Sequence, residues 1–142
     1  MQLNNTGLNI IKKYEGLRLK AYYCPAGVCT IGYGHTGPDV HYGMMIDVPT
    51  AERFLAEDLA EATAGVTKLV RPDTTDNEFS ALVSFTFNEG VNKLRTSTLL
   101  KKHNNKDKAG AAAEFPKWKY AAGKVLTGLL DRRNEEAKLY NT

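Results

Sequence analysis

Glu15 closes a short run in which Leu8, Ile11 and Tyr14 recur at every third position behind Thr6. That spacing predicts an amphipathic helix from Thr6 to Tyr14, with Thr6 as its cap and Glu15 and Gly16 at its end. A carboxyl group at such an end, just before a change of structure, is partly shielded from water. Desolvation disfavours the carboxylate, so the group can hold a proton near neutral pH and give it up as a general acid. The competing reading of Glu15 is a solvated surface charge. His35 also titrates near neutrality, but a histidine behind the glycine-rich stretch Ile31 to Gly34 is more often structural than catalytic. Cys24 and Cys29 have no further cysteine or histidine cluster at zinc-binding spacing around them, so neither a metal nor a cofactor is expected. A bridge between residues so close in sequence would constrain little chain.

These groups need elements to position them. From Leu17 to Met45 glycines and prolines alternate with short aromatic and β-branched runs, which predicts a small antiparallel sheet of two or three strands, with Pro25-Ala26-Gly27 as a hairpin turn. A helix start is signalled at Pro49-Thr50, and Phe54, Leu55, Leu59, Ala62, Val66 and Leu69 follow at helical spacing until Pro72. Thr75 and Glu78 fit a capping box, which places Phe79, Leu82, Val83 and Thr86 on the inner face of the next helix. Further helices are expected over Ser97 to His103, Asp107 to Trp118 and Thr127 to Tyr140. The layout is α+β: one domain, residues 1–142, with a sheet-bearing N-terminal lobe over about 1–50, a linker helix over about 50–70 and a helical C-terminal lobe over about 71–142.

Composition sets limits on the function. A chain of 142 residues with 42% hydrophobic and 25% charged residues is an ordinary globular protein that buries a core without staples. The formal charge of +3 favours approach to an anionic polymer but is too small and too dispersed for a nucleic-acid binder, and no DNA or RNA motif occurs. The opening MQLNNTGLNIIKKYEG has no apolar stretch of signal-peptide or membrane-helix length, so no membrane insertion is expected.

Glu15, then eight residues, Cys24, then five residues, Thr30, is a spacing that resembles the phage-type lysozymes of glycoside hydrolase family 24, whose motif reads Glu, eight residues, Asp or Cys, five residues, Thr. Phe85-Thr-Phe-Asn-Glu-Gly90 resembles that family's segment lining the glycan cleft, and Ser97 to Arg133 resembles its closing helices. The resemblance runs from Gly7 to Tyr140. It implies a lysozyme-like fold and an endolysin that hydrolyses the β-1,4 bond between N-acetylmuramic acid and N-acetylglucosamine in bacterial peptidoglycan. Glu15 would protonate the leaving oxygen, Thr30 would orient the attacking water, and Cys24 would stand in the second catalytic position. In inverting glycosidases that second group is a carboxylate roughly 6.5 to 9.5 Å from the acid. A thiol, with a pKa near ~8.5, is mostly neutral at pH 7 and serves less well unless its surroundings acidify it.

Arg132 and Arg133 fall in the last expected helix, where a planar cation could neutralise Glu15 or hold an acidic peptide stem of the substrate, and at least one of them is expected to be solvated. Asn88 is the better candidate for a direct sugar contact, since its amide offers both donor and acceptor. The resemblance further implies an ion pair between His35 and Asp58. It implies a monomer that waits in the host cytoplasm, is released through a holin-like pore, and acts on the wall in the periplasm. If Cys24 and Cys29 face one another across the hairpin, oxidation there would remove the thiolate. Two rivals keep the substrate but change the chemistry: a peptidoglycan-binding module weakened by the loss of the second acid, and a lytic transglycosylase, which needs one acid and leaves an anhydro sugar.

Overall fold

The computed structural model describes residues 1–142, which form two compact units. One unit is Glu15–Glu61; the other joins Met1–Tyr14 to Ala62–Thr142. The N-terminal helix α1 (Asn5–Glu15) therefore packs with the helical half, not with the sheet as a lobe boundary near residue 50 would have it. The reason is local. A Cβ on Gly7 would lie 2.6 Å from Ser80 Cβ, so only glycine lets α1 settle this closely on α3 (Asp76–Glu89). The Asn4 amide N–H also donates to Ser80 Oγ at 2.9 Å.

In the smaller unit, β1 (Arg18–Tyr23) pairs antiparallel with β2 (Cys29–Gly32), and the turn between them closes through Gly27 N–H to Cys24 O at 2.8 Å. The other edge of β1 is also used. Ala21 N–H donates to Met44 O and Ile46 N–H to Leu19 O, so Met45 forms a single antiparallel bridge with Lys20 and the sheet itself has two strands. Ala21, Ile31, Val40 and Phe54 form the core, with Cys29, Met44 and Ile46 packed against them. Phe54 comes from α2 (Val48–Leu69), which starts in this unit and ends in the other. Its start is fixed by Asp47, whose carboxylate accepts from Thr50 N–H at 2.9 Å, a cap placed just ahead of the Pro49-Thr50 signal.

The larger unit is built around α3. Every residue from Glu78 to Thr86 is buried, and the helix packs chiefly on α7 (Thr127–Tyr140). Small and apolar residues on all sides allow this central position. The capping box is formed in both directions, Glu78 N–H to Thr75 Oγ1 at 3.1 Å and Thr75 N–H to Glu78 Oε1 at 2.9 Å. Three short helices follow, α4 (Val91–Arg95), α5 (Thr98–Asn104) and α6 (Lys108–Glu114). The helix expected to reach Trp118 stops at Glu114 and tightens into a 3₁₀ turn over Phe115–Lys117, because Pro116 has no N–H to continue the ladder. An all-helical second half is also corrected by a hairpin, β3 (Tyr120–Ala121) with β4 (Lys124–Val125). Its two turn residues both have positive φ, 51° at Ala122 and 77° at Gly123. That is the geometry that matches strand twist, although Ala is an uncommon choice for its first position.

Candidate active site

Glu15 is the last residue of α1, where Gly16 at φ 73° turns the chain out of the helix. Its carboxyl group is half-buried and reaches the glycine-rich segment that follows β2. There the chain doubles back tightly, with Ile31 N–H to His35 O at 2.9 Å and His35 N–H to Ile31 O at 2.8 Å. Gly32 and Gly34 both take positive φ, 65° and 75°. A Cβ on Gly34 would lie 2.6 Å from Glu15 Oε1, so the absence of a side chain is what admits the carboxyl group. The sequence marks Gly34 only as a turn residue; its part in seating Glu15 emerges from the close approach.

Cys24 and Thr30 occupy one face of the hairpin. Thr30 pairs with Tyr22 across the ladder, is buried, and donates its hydroxyl to Val28 O at 2.9 Å. The backbone at Val28, opposing a smaller desolvation effect, holds the Cys24 thiol below its ordinary pKa, with the backbone at Ala26 and the Thr30 hydroxyl contributing in the same direction. The hydroxyl has one proton, shared between Val28 O and an ionised Cys24 sulfur. Cys29, in contrast, is the ladder partner of Tyr23. Successive strand residues point to opposite faces, so Cys24 and Cys29 do not face one another, and both are free thiols. The hairpin register thus removes the geometry on which a disulfide switch depended.

His35 is buried with both ring nitrogens engaged: Nδ1 is 2.7 Å from Asp58 Oδ2 and Nε2 is 3.0 Å from Asp39 Oδ2, and the ring stacks on Phe54 at 4.3 Å. Burial opposes the imidazolium, but hydrogen bonds to Asp39 and Asp58 outweigh it and raise the histidine pKa above its ordinary 6.5. Asp39 is a partner that the sequence did not suggest. A ring committed at both nitrogens has nothing left for proton transfer to substrate, so His35 ties the turn to α2. The raised pKa makes this tie strongest below pH 6.5 and weakens it as pH rises through the folded-state pKa. His103 in the other unit is buried between Thr74 Oγ1 and Tyr140 Oη, at 2.9 and 2.6 Å, and burial lowers its pKa. Its contribution has the opposite sign, complete above pH 6.5 and lost as pH falls toward its depressed folded-state pKa. His35→Asn is therefore expected to cost about 1.5–3 kcal/mol near pH 6, the range for hydrogen bonds to charged groups. It should also flatten the alkaline side of the melting temperature against pH while sparing turnover measured well below the transition. A large loss of turnover in the folded variant would return His35 to the chemistry.

Asn88 is exposed in the last turn of α3. Arg132 and Arg133 are both buried, which corrects the expectation that one of them is solvated. Arg133 Nε lies 2.7 Å from Glu136 Oε1, its Nη2 donates to Glu136 Oε2 at 3.1 Å, and its Nη1 donates to Glu89 Oε2 at 3.3 Å. Arg132 Nη2 donates to Ser84 O at 3.1 Å, and Ser84 Oγ donates to Glu136. Period alone cannot show that α7 turns its cations inward; the signal was Glu136, three and four residues beyond them. No group of three or more His, Cys, Asp or Glu side chains converges to hold a metal ion.

The model of the phage lysozyme family matches residues 12–136. An endolysin of Acyrthosiphon pisum secondary endosymbiont phage 1 is 46% identical over 100% of this chain and 99% of its own length. An endolysin of Bacillus phage B103 is 44% identical, again over 100% of this chain, which spans only 55% of that relative. Among solved structures, the endolysin from Escherichia coli O157:H7 phage FAHEc1 superimposes with a TM-score of 0.92 at 42% identity, over 99% of this chain and 93% of its own. The α+β, lysozyme-like architecture is thus shared along the whole chain, and the protein belongs to the phage lysozyme family.

Proposed function

We propose that this protein is an endolysin that hydrolyses the β-1,4 bond between N-acetylmuramic acid and N-acetylglucosamine in peptidoglycan. The observation that carries the reading is the site in the smaller unit: a half-buried Glu15 seated against Gly34, with the Thr30 hydroxyl and an acidified Cys24 on one face of the adjoining hairpin. Glu15 gives its proton to the leaving glycosidic oxygen. A water held through the Thr30 hydroxyl attacks the anomeric carbon, and its proton goes to the Cys24 sulfur in the fraction of molecules in which that group is ionised. The same thiolate, while charged, offsets the positive charge that builds on the sugar. Asn88 offers donor and acceptor to a sugar amide. Arg132 and Arg133 act from within, by holding α7 to α3. Membership of the phage lysozyme family supports the substrate class.

The enzyme works as a monomer on the cell wall in the periplasm after release from the host cytoplasm. Its release is assigned to a holin-like pore made by another protein; no helix of the protein is long and apolar enough to cross a membrane.

In this scheme Cys24 assists the water and makes no bond to sugar. Cys24→Asp is expected to keep or raise lysis of purified sacculi, and Cys24→Ser to retain part of it, both compared with wild type by turbidity loss. Complete inactivity of a folded Cys24→Ser protein would point instead to the thiol as nucleophile.

A further inference from the structure

The face of the hairpin opposite Cys24 and Thr30 packs Cys29 against the core, and Tyr23 on that face stacks with Tyr42 outside the core. Tyr23 and Tyr42 are stacked 5.8 Å apart with 14° between their planes, yet remain 59% and 72% exposed. Neither ring is placed by a loose loop. Tyr23 is the last residue of β1, paired with Cys29. Tyr42 is in the turn closed by Met44 N–H to His41 O at 3.1 Å, where Gly43 at φ 87° supplies the positive φ that such a turn needs at its third residue. Main-chain hydrogen bonds from Ala21 to Met44 and from Ile46 to Leu19 then fasten this segment to the free edge of β1. Two rings that could have been turned inward are mounted on rigid backbone and presented to solvent.

We propose that Tyr23 and Tyr42 form a second glycan-binding platform, separate from the catalytic face, that holds another stretch of peptidoglycan strand while the site at Glu15 cuts. The inference rests on the muramidase reading above. The face of an aromatic ring carries negative charge density, and the axial C–H groups of a pyranose present a flat, weakly positive surface to it. The rings stack on one another, so each covers one face of its neighbour, and the solvent-facing remainder of the pair offers a flat aromatic surface for this kind of contact, with the phenol hydroxyls available to bond sugar hydroxyl and acetamido groups. Because ladder register directs Tyr23 away from Cys24 and Thr30, the platform touches a sugar other than the one being hydrolysed. Its benefit is confined to polymers. A strand or a neighbouring strand of the same sacculus held at one face raises the effective concentration at the other, an effect worth 10² to 10⁴ in avidity where geometry permits.

The test compares the wild type with Tyr23→Ala/Tyr42→Ala, and with Tyr23→Phe/Tyr42→Phe, which keeps both rings. Binding to purified sacculi is measured in each pair with Glu15→Gln added to stop cleavage, and turnover of a soluble glycan fragment of a few disaccharides is measured without it. The proposal expects the alanine pair to bind sacculi roughly tenfold or more weakly, with unchanged melting temperature and soluble-fragment turnover, and the phenylalanine pair to retain most of the binding. Unchanged sacculus binding by the alanine pair overturns it, as does an equal loss on soluble fragments, which would place the rings in the catalytic machinery or the fold. Wild-type self-association in sedimentation that the alanine pair abolishes also overturns it, by assigning the face to a second copy of the chain. Failure of the wild type to cleave any glycan would remove the muramidase reading, whereas the binding comparison reads the platform without cleavage.

Discussion

Glu15→Gln is expected to lower the rate of sacculus lysis by at least 10²-fold, the lower end of what a positioned general acid supplies. The amide preserves the shape and polarity of the carboxyl group at the end of α1, so the melting temperature should stay close to that of the wild type. Only the transferable proton is lost. Gly34→Ala should approach the same loss by a different route. Its methyl group would occupy space 2.6 Å from Glu15 Oε1 and would also force a non-glycine residue to φ 75°, so the carboxyl group must move or the turn must open. A displacement near 1 Å in a reacting group is enough to cost about 10²-fold in rate. Activity within tenfold of wild type in both variants would show that the proton comes from elsewhere.

The largest effect on stability is expected from Arg133→Ala. Arg133 is fully buried with its guanidinium on Glu136 and Glu89, and removing it leaves the buried Glu136 carboxylate with less compensation. Breaking a buried pair from one side costs about 3–5 kcal/mol. For a domain of this size the melting temperature should fall by about 10 °C or more. Arg133→Lys should recover only part of the loss, since an ammonium cannot span both carboxylates as a planar fork does. Glu89 is next to Asn88, so Arg133 also fixes the end of α3 on which that amide is carried. The measurement is thermal or urea unfolding of the three proteins. A loss under about 1 kcal/mol for Arg133→Ala would mean that the network is solvated in solution, since exposed pairs contribute no more than that.

Much of this arrangement was legible in the sequence, for reasons that differ from residue to residue. The helix ending at Glu15, the helix entered at Thr75 and the hairpin turn at Pro25-Ala26-Gly27 rest on a period, a cap and a glycine in a required conformation, although the first helix is capped by Asn4, whose side chain accepts from Gly7 N–H, and not by Thr6. Local signals of this kind survive folding. The roles proposed for Cys24 and Thr30 rest on a motif spacing, and the register of β1 on β2 puts Thr30 on the face that adjoins Cys24. What could not be read depends on contacts far apart in the chain. Gly7 is a helix residue until Ser80 is placed against it, and Gly34 is a turn residue until the Glu15 carboxyl group arrives. Arg132 and Arg133 look like a solvated basic face because a helical period does not say which side meets another helix; Ser84 and Glu89, more than forty residues earlier, decide that. The early end of α6 at Pro116 was available in principle and was outweighed by the strong helical composition of Ala111 to Ala113.

If water, activated beside Cys24 and Thr30, completes a cleavage begun by Glu15, the soluble muropeptides released from purified sacculi carry its signature. Hydrolysis leaves each new end as a reducing N-acetylmuramic acid that takes up one atom of solvent oxygen, visible by mass spectrometry when the digestion is run in H₂¹⁸O. Labelled reducing ends are expected from the wild type and none from Glu15→Gln. Unlabelled 1,6-anhydro-muramic ends would contradict it, because they require attack by the sugar's own hydroxyl and leave the Cys24 and Thr30 face without a role.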